Sequence, residues 1–116
     1  MNSKTLLKKK EKKAISVKRV FQKGIPLESP FFKVIIEKGE KAHGSFAVVV
    51  GRKFGKAVER NRMKRVYREI LRSNSDLFQD KNVVILPRNA SKKASFFQLN
   101  DKVRESLSVL DQGYRC

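Results

Sequence analysis

The stretch "GRKFGKA" follows the apolar run "SFAVVV", in the place where a phosphate-binding loop would sit. Such a loop needs the spacing G-x-x-x-x-G-K-[ST], with backbone amides around the phosphates and the final hydroxyl on magnesium. Here only three residues separate Gly51 from Gly55, and Ala57 stands where the hydroxyl is required. No acidic residue ends the later run "NVVILP" to hold a metal. The nucleotide reading fails on chemistry as well as on spacing.

Side-chain catalysis has little else to draw on. A metal-free ribonuclease typically wants two positioned acid/base groups, often histidines, and this chain has one, His43, in an expected turn. No cluster of carboxylates suggests a two-metal site. The lone cysteine, Cys116, gives neither an intramolecular disulfide nor a CxxC metal site, which fits a reducing cytoplasm. A self-sufficient nuclease is disfavoured.

What remains is a dense row of cations. From Arg52 to Arg72 there are nine basic residues and two acidic ones, Glu59 and Glu69. At about 100° per residue, Met63, Val66, Tyr67, Ile70 and Leu71 form one apolar stripe, and Arg60, Asn61, Lys64, Arg65, Arg68 and Arg72 occupy a broad arc opposite. Solvated helix faces normally mix signs, whereas the like charges at Arg60/Lys64 and Lys64/Arg68 weaken the helix. That weakness makes sense on a face that meets phosphates, where Arg offers paired donors and Lys a point charge. Arg52, Lys53 and Lys56 extend the surface, and backbone amides at the helix start would add to it.

The whole chain agrees. Its 116 residues carry 28 Lys+Arg against 11 Asp+Glu, a formal charge of +17, which favours a polyanionic partner. With 40% hydrophobic residues in periodic segments, it should fold as one domain. Zinc spacing, heptads and helix-turn-helix pairs are not apparent, nor are a KH clamp and an RRM aromatic signature. The basic helix has a core stripe, which a membrane-surface helix would spend on lipid. No apolar run approaches a membrane span and no secretory signal is visible, so an intracellular protein is expected.

The elements that must position these residues follow from periodicity. Residues 1–13 read as a basic, flexible tail, 14–112 as one domain and 113–116 as a short tail. A helix from Ala14 places Val17, Val20 and Phe21 on one face and stops at Gly24. "IPLESP" reads as a loop. "FFKVIIEK" and "SFAVVVG" read as strands joined into a hairpin by "GEKAHG". A long helix spans about Lys56 to Ser73, and "NVVILP" is a third strand. "RNASKKA" reads as a loop. Ser95 and Gln98 form a capping box ahead of a helix carrying Phe96, Leu99, Val103, Leu107 and Leu110. The order is α-β-β-α-β-α, an α+β fold with a small central sheet packed by helices.

"FGKAVERNRMKRVYREILR" resembles the signature of the bacterial ribonuclease P protein component, centred on an Arg-Asn-Arg element, here Arg60, Asn61 and Arg62. "VFQKG", the "GRKFG" loop, "VVILPR" and the C-terminal amphipathic helix appear in the expected order, so the resemblance covers roughly residues 6 to 110.

The resemblance implies the family fold, shared with the second domain of a small-subunit ribosomal protein and containing a left-handed β-α-β crossover. It implies the small subunit of a cytoplasmic ribonucleoprotein whose RNA is the catalyst, removing the 5′ leader from precursor tRNA with magnesium held mainly by the RNA. Its partners would be ribonuclease P RNA and precursor tRNA, without a membrane or small-molecule substrate. Carried over by position, Arg52, Lys53, Lys56, Arg60, Asn61, Arg62, Lys64, Arg65 and Arg68 become the contact set for the RNA subunit. Val17, Phe21, Phe32, Lys33 and Ile35 become candidates for a leader-binding cleft, where aromatic faces stack on bases. In one departure, Val17 stands where the family often has an aromatic, one turn before the equivalent of Phe21. The rival reading is a basic structural RNA-binding protein such as a ribosomal protein.

Overall fold

The computed structural model describes residues 17–38 and 44–113. The expected tail over 1–13, the start of the first helix at Ala14, His43 in its turn, the side chain of Leu110 and Cys116 all lie outside the described part.

Helix α1 (Val17–Lys23) ends at Gly24, whose amide donates to the Val20 carbonyl at 2.7 Å. A Cβ on Gly24 would lie 2.5 Å from Ile35 Cγ2, so glycine lets the helix end lie directly on the sheet. The next residues form an edge strand, β1 (Ile25–Glu28), where a loop was expected. Pro26 signals a loop by sequence, but an edge strand pairs on one side only and tolerates its missing N–H.

Strands β2 (Phe32–Lys38), β3 (Phe46–Val48) and β4 (Lys81–Pro87) complete a sheet of order β1-β2-β4-β3. The expected hairpin does not form, because β4 lies between β2 and β3, antiparallel to the first and parallel to the second. The reason is burial. Val83, Val84 and Ile85 in successive positions are fully buried, which only an interior strand covered on both faces provides. The parallel pair β3 and β4 is joined through α2 (Ala57–Ser73), giving a β-α-β unit.

Pleating divides the strand residues between two faces. Phe32, Val34, Ile36, Val48, Val83 and Ile85 point to the main core, packed against Met63, Tyr67, Ile70 and Leu71 of α2. Leu99, Val103 and Leu107 of α3 (Phe96–Gly113) close that core. The other face buries Ile35 and Val84 under Val20 of α1. The Ser95–Gln98 capping box forms as expected: Gln98 N–H donates to Ser95 Oγ at 3.1 Å, and Ser95 N–H to Gln98 Oε1 at 2.8 Å. At the far end of α2, the buried Asn74 donates to Asn100 Oδ1 and accepts from Arg104, at 2.9 and 2.7 Å, which ties α2 to α3.

Candidate nucleic-acid interface

The "GRKFG" segment is a 3₁₀ turn (Arg52–Phe54) anchored by the buried Phe54. Phe54 N–H donates to the Gly51 carbonyl at 3.0 Å and Gly55 N–H to that of Arg52 at 3.3 Å. Folding the turn inward at Phe54 leaves Arg52 and Lys53 exposed. Lys56 precedes the first residue of α2, and its N–H donates to Glu59 Oε1 at 3.0 Å, satisfying one amide of the helix start. The Glu59 carboxylate lies over Gly55, where a Cβ would stand 2.1 Å from Oε1. The two glycines shape a turn; they do not line a nucleotide pocket.

Along α2 the stripe expected from sequence faces inward, with Met63, Tyr67, Ile70 and Leu71 buried and Val66 partly so. Asn61, Arg62, Arg65 and Arg68 are exposed, while Arg60 and Lys64 flank the stripe half-buried. Among the described residues, no carboxylate lies within ion-pairing distance of Arg60, Arg62, Lys64, Arg65 or Arg68. Arg60 Nε is buried without a hydrogen-bond partner, an arrangement that typically costs about 1–3 kcal/mol. This is a surface with positive charge and donors to spare.

The second group of predicted residues divides. Lys33 and Ile35 share the face under α1, to which Val17 packs, and Phe21 stands 44% exposed on the same helix one turn beyond Val17. Phe32 belongs elsewhere. It is fully buried in the main core, edge-to-face with Tyr67 at 5.8 Å between ring centroids. A strand alternates its side chains, so Phe32 cannot line the surface that Lys33 and Ile35 line. Beside α1 the same face carries Ala47, Val49 and Leu86, only partly buried. It is an apolar shelf with a lysine and a phenylalanine at its border.

Sequence reasoning missed the group that holds α1 in place. Arg19 Nε donates to Glu37 Oε2 at 2.7 Å and Arg19 Nη2 to Glu37 Oε1 at 3.0 Å. Asn82 Nδ2 also donates to Glu37 Oε1, at 2.9 Å, while Asn82 Oδ1 accepts from Ser45 N–H at 3.3 Å. The Arg19 hydrogen bond holds the Glu37 carboxyl below its ordinary range, against the opposing effect of burial. The register Glu37↔Asn82 brings the two strand residues together, and strand parity alone could have flagged them as polar residues facing inward.

A second buried cluster fixes α2. Tyr67 OH lies 2.7 Å from Ser91 Oγ, which donates to the Phe31 carbonyl at 2.6 Å. Burial pushes the Tyr67 hydroxyl up to about 12, with the Ser91 hydrogen bond opposing.

An α+β fold that carries, among the described residues, an arginine face without carboxylate partners on one side and a partly buried apolar shelf on the other is of the kind found in small nucleic-acid-binding proteins. Known proteins make the class specific. The ribonuclease P family matches residues 3–111. The ribonuclease P protein component of Thermotoga maritima is 36% identical over 97 residues, covering 79% of this chain and 83% of the relative. That of Petrotoga mobilis is 39% identical over 89 residues, covering 74% and 75%. The solved T. maritima ribonuclease P protein superposes with a TM-score of 0.71 at 29% identity, covering 80% of this chain and 93% of that one. The Staphylococcus aureus protein gives 0.69 at 25% identity, covering 79% and 85%. The chain belongs to the family of bacterial ribonuclease P protein components, which work with the ribonuclease P RNA in endonucleolytic tRNA processing.

Proposed function

We propose that this chain binds the catalytic RNA through α2 and the Arg52–Phe54 turn, and the 5′ leader of precursor tRNA through the shelf beside α1. The observation that carries this reading is the row Arg60, Arg62, Lys64, Arg65 and Arg68 without carboxylate partners among the described residues. Such a row matches crowded phosphates, where arginine offers paired donors and lysine a point charge. On the other face, Phe21 supplies a ring for base stacking, Lys33 a charge for the backbone and Val17 an apolar contact, while Ile35, buried under Val20, supports α1 from beneath. Phe32 takes no part, for the parity reason above.

Among the described residues, no three His, Cys, Asp or Glu side chains gather to hold a metal. On this reading the RNA holds the magnesium. The protein's part is to neutralise phosphates and hold the leader, so that the RNA active site binds its substrate at lower magnesium. No described helix is long and apolar enough to cross a membrane, and the proposed work on precursor tRNA assigns the protein to the cytoplasm.

The test is leader cleavage of precursor tRNA by the protein alone, then with a bacterial ribonuclease P RNA at low magnesium. Stimulation in the second mixture only is expected. Cleavage by the protein alone would make it a nuclease, and no effect in either mixture would favour a structural RNA-binding role.

A further inference from the structure

The segment "RNASKKASFF" (Arg88 to Phe97) has the sequence of a loop and belongs to neither surface above. In the fold it is pressed against α2. The 3₁₀ turn Asn89–Lys93 is held by Ser91, 1% exposed, through the hydrogen bonds to Tyr67 and Phe31 given above. Lys92 Nζ lies 4.9 Å from the centre of the Phe54 ring, so this turn meets the Arg52–Phe54 turn at the start of α2. The capping box then sets Phe96 and Phe97 as the first residues of α3. Their rings stand edge-to-face, 6.3 Å apart, with Phe96 43% and Phe97 76% exposed. Between Phe96 and α2 lies a notch of about 90 Å³, floored by Met63, Val66 and Leu99, with the exposed Arg62 and Lys92 at its rim and Phe97 outside it.

We propose that this is a second RNA-contact site: an unpaired nucleotide stacks its base on the Phe96–Phe97 pair while Arg62 and Lys92 hold its phosphates. The proposal rests on the reading of RNA as the partner. Two neighbouring aromatic rings left in water present π-faces that any nucleobase can cover, and stacking of this kind is tolerant of sequence. The cations beside them require the occupant to be anionic as well as flat. Among the described residues, neither Arg62 nor Lys92 has a carboxylate within ion-pairing distance. The notch is far smaller than the ~300–1,000 Å³ pockets that enclose small ligands, so the base lies over the rings and not within it. Arg62 belongs to the arginine row on α2 and also lines this notch, which makes the two contacts continuous along one bound RNA.

The experiment measures binding of the full chain to a bacterial ribonuclease P RNA across a salt series. Phe97→Ala, at a site too exposed to disturb the core, is expected to weaken binding about 5- to 100-fold with an unchanged salt slope. Phe97→Trp should retain the affinity. Lys92→Gln should weaken binding and reduce the slope by about 0.7–0.9. Full affinity in Phe97→Ala, alongside steep salt dependence in the unmodified chain, overturns the stacking site and leaves the arginine face standing. Loss of self-association in Phe97→Ala, with RNA binding intact, overturns it too and makes the patch a contact between copies of the chain. No RNA binding by the unmodified chain overturns the parent reading and this one with it.

Discussion

Arg19 of α1 and Glu37 of β2 are joined by two hydrogen bonds, Nε to Oε2 at 2.7 Å and Nη2 to Oε1 at 3.0 Å. This bidentate pair, with Asn82 as a third member, clamps α1 onto the sheet. The position of α1 depends on these contacts and on the burial of Val20. Glu37→Gln is therefore expected to lower the melting temperature by several degrees. It should also weaken binding of precursor tRNA carrying a leader more than binding of mature tRNA. Equal weakening of both would detach α1 from leader binding.

The same pair sets an acid dependence. The folded carboxyl of Glu37 is depressed below its ordinary 4.5, so its stabilisation is complete above that value and is lost as pH falls through the folded value. Denaturant titrations below pH 5 should show the wild type losing stability faster than Glu37→Gln, the two curves converging in acid. Parallel curves would show that Glu37 does not couple protonation to folding.

Phe32 and Phe21 should behave oppositely. Phe32→Ala opens a cavity against Tyr67 in the main core and is expected to cost about 3–5 kcal/mol of stability. Phe21→Ala, at an exposed site, should cost under about 1 kcal/mol, yet weaken binding to a single-stranded leader RNA. Chemical denaturation and leader binding, measured on both variants, check the contrast.

On α2, Arg65 and Arg68 are exposed and clear of the core. Replacing either by Gln should leave stability within about 0.5 kcal/mol and lower the salt slope of RNA binding by about 0.7–0.9. An unchanged slope would mean that the residue does not neutralise a phosphate.

Burial pushes the Tyr67 hydroxyl up to about 12, against the opposing hydrogen bond with Ser91. Its raised value means a contribution present below pH 10 and lost as pH rises toward 12. An ultraviolet pH titration should show Tyr67 ionising late in the native chain and normally once unfolded. Tyr67→Phe should remove that late phase at a stability loss of about 1 kcal/mol.

Where information is local, the sequence of this protein was decisive. The apolar stripe on α2, the cations opposite it, and the Ser95–Gln98 cap depend on spacings of three and four residues, which the chain itself imposes. Family membership was legible for the same reason, since the Arg60-Asn61-Arg62 signature is contiguous. Strand order was not. "IPLESP" contains an edge strand, and β2 and β3 are separated by β4, because pairing and burial between distant segments override the turn signals between neighbours. The placement of Phe32 was legible in principle from strand parity beside Lys33 and Ile35, but which parity meets α1 is decided only when helices cover the two faces. The Arg19–Glu37–Asn82 group and the meeting of Lys92 with Phe54 join segments far apart in the chain. Charge and periodicity marked out the cationic helical face that we propose meets a polyanion; only tertiary packing decided which other residues stand beside that face, because adjacency in space follows from register and burial and not from order along the chain.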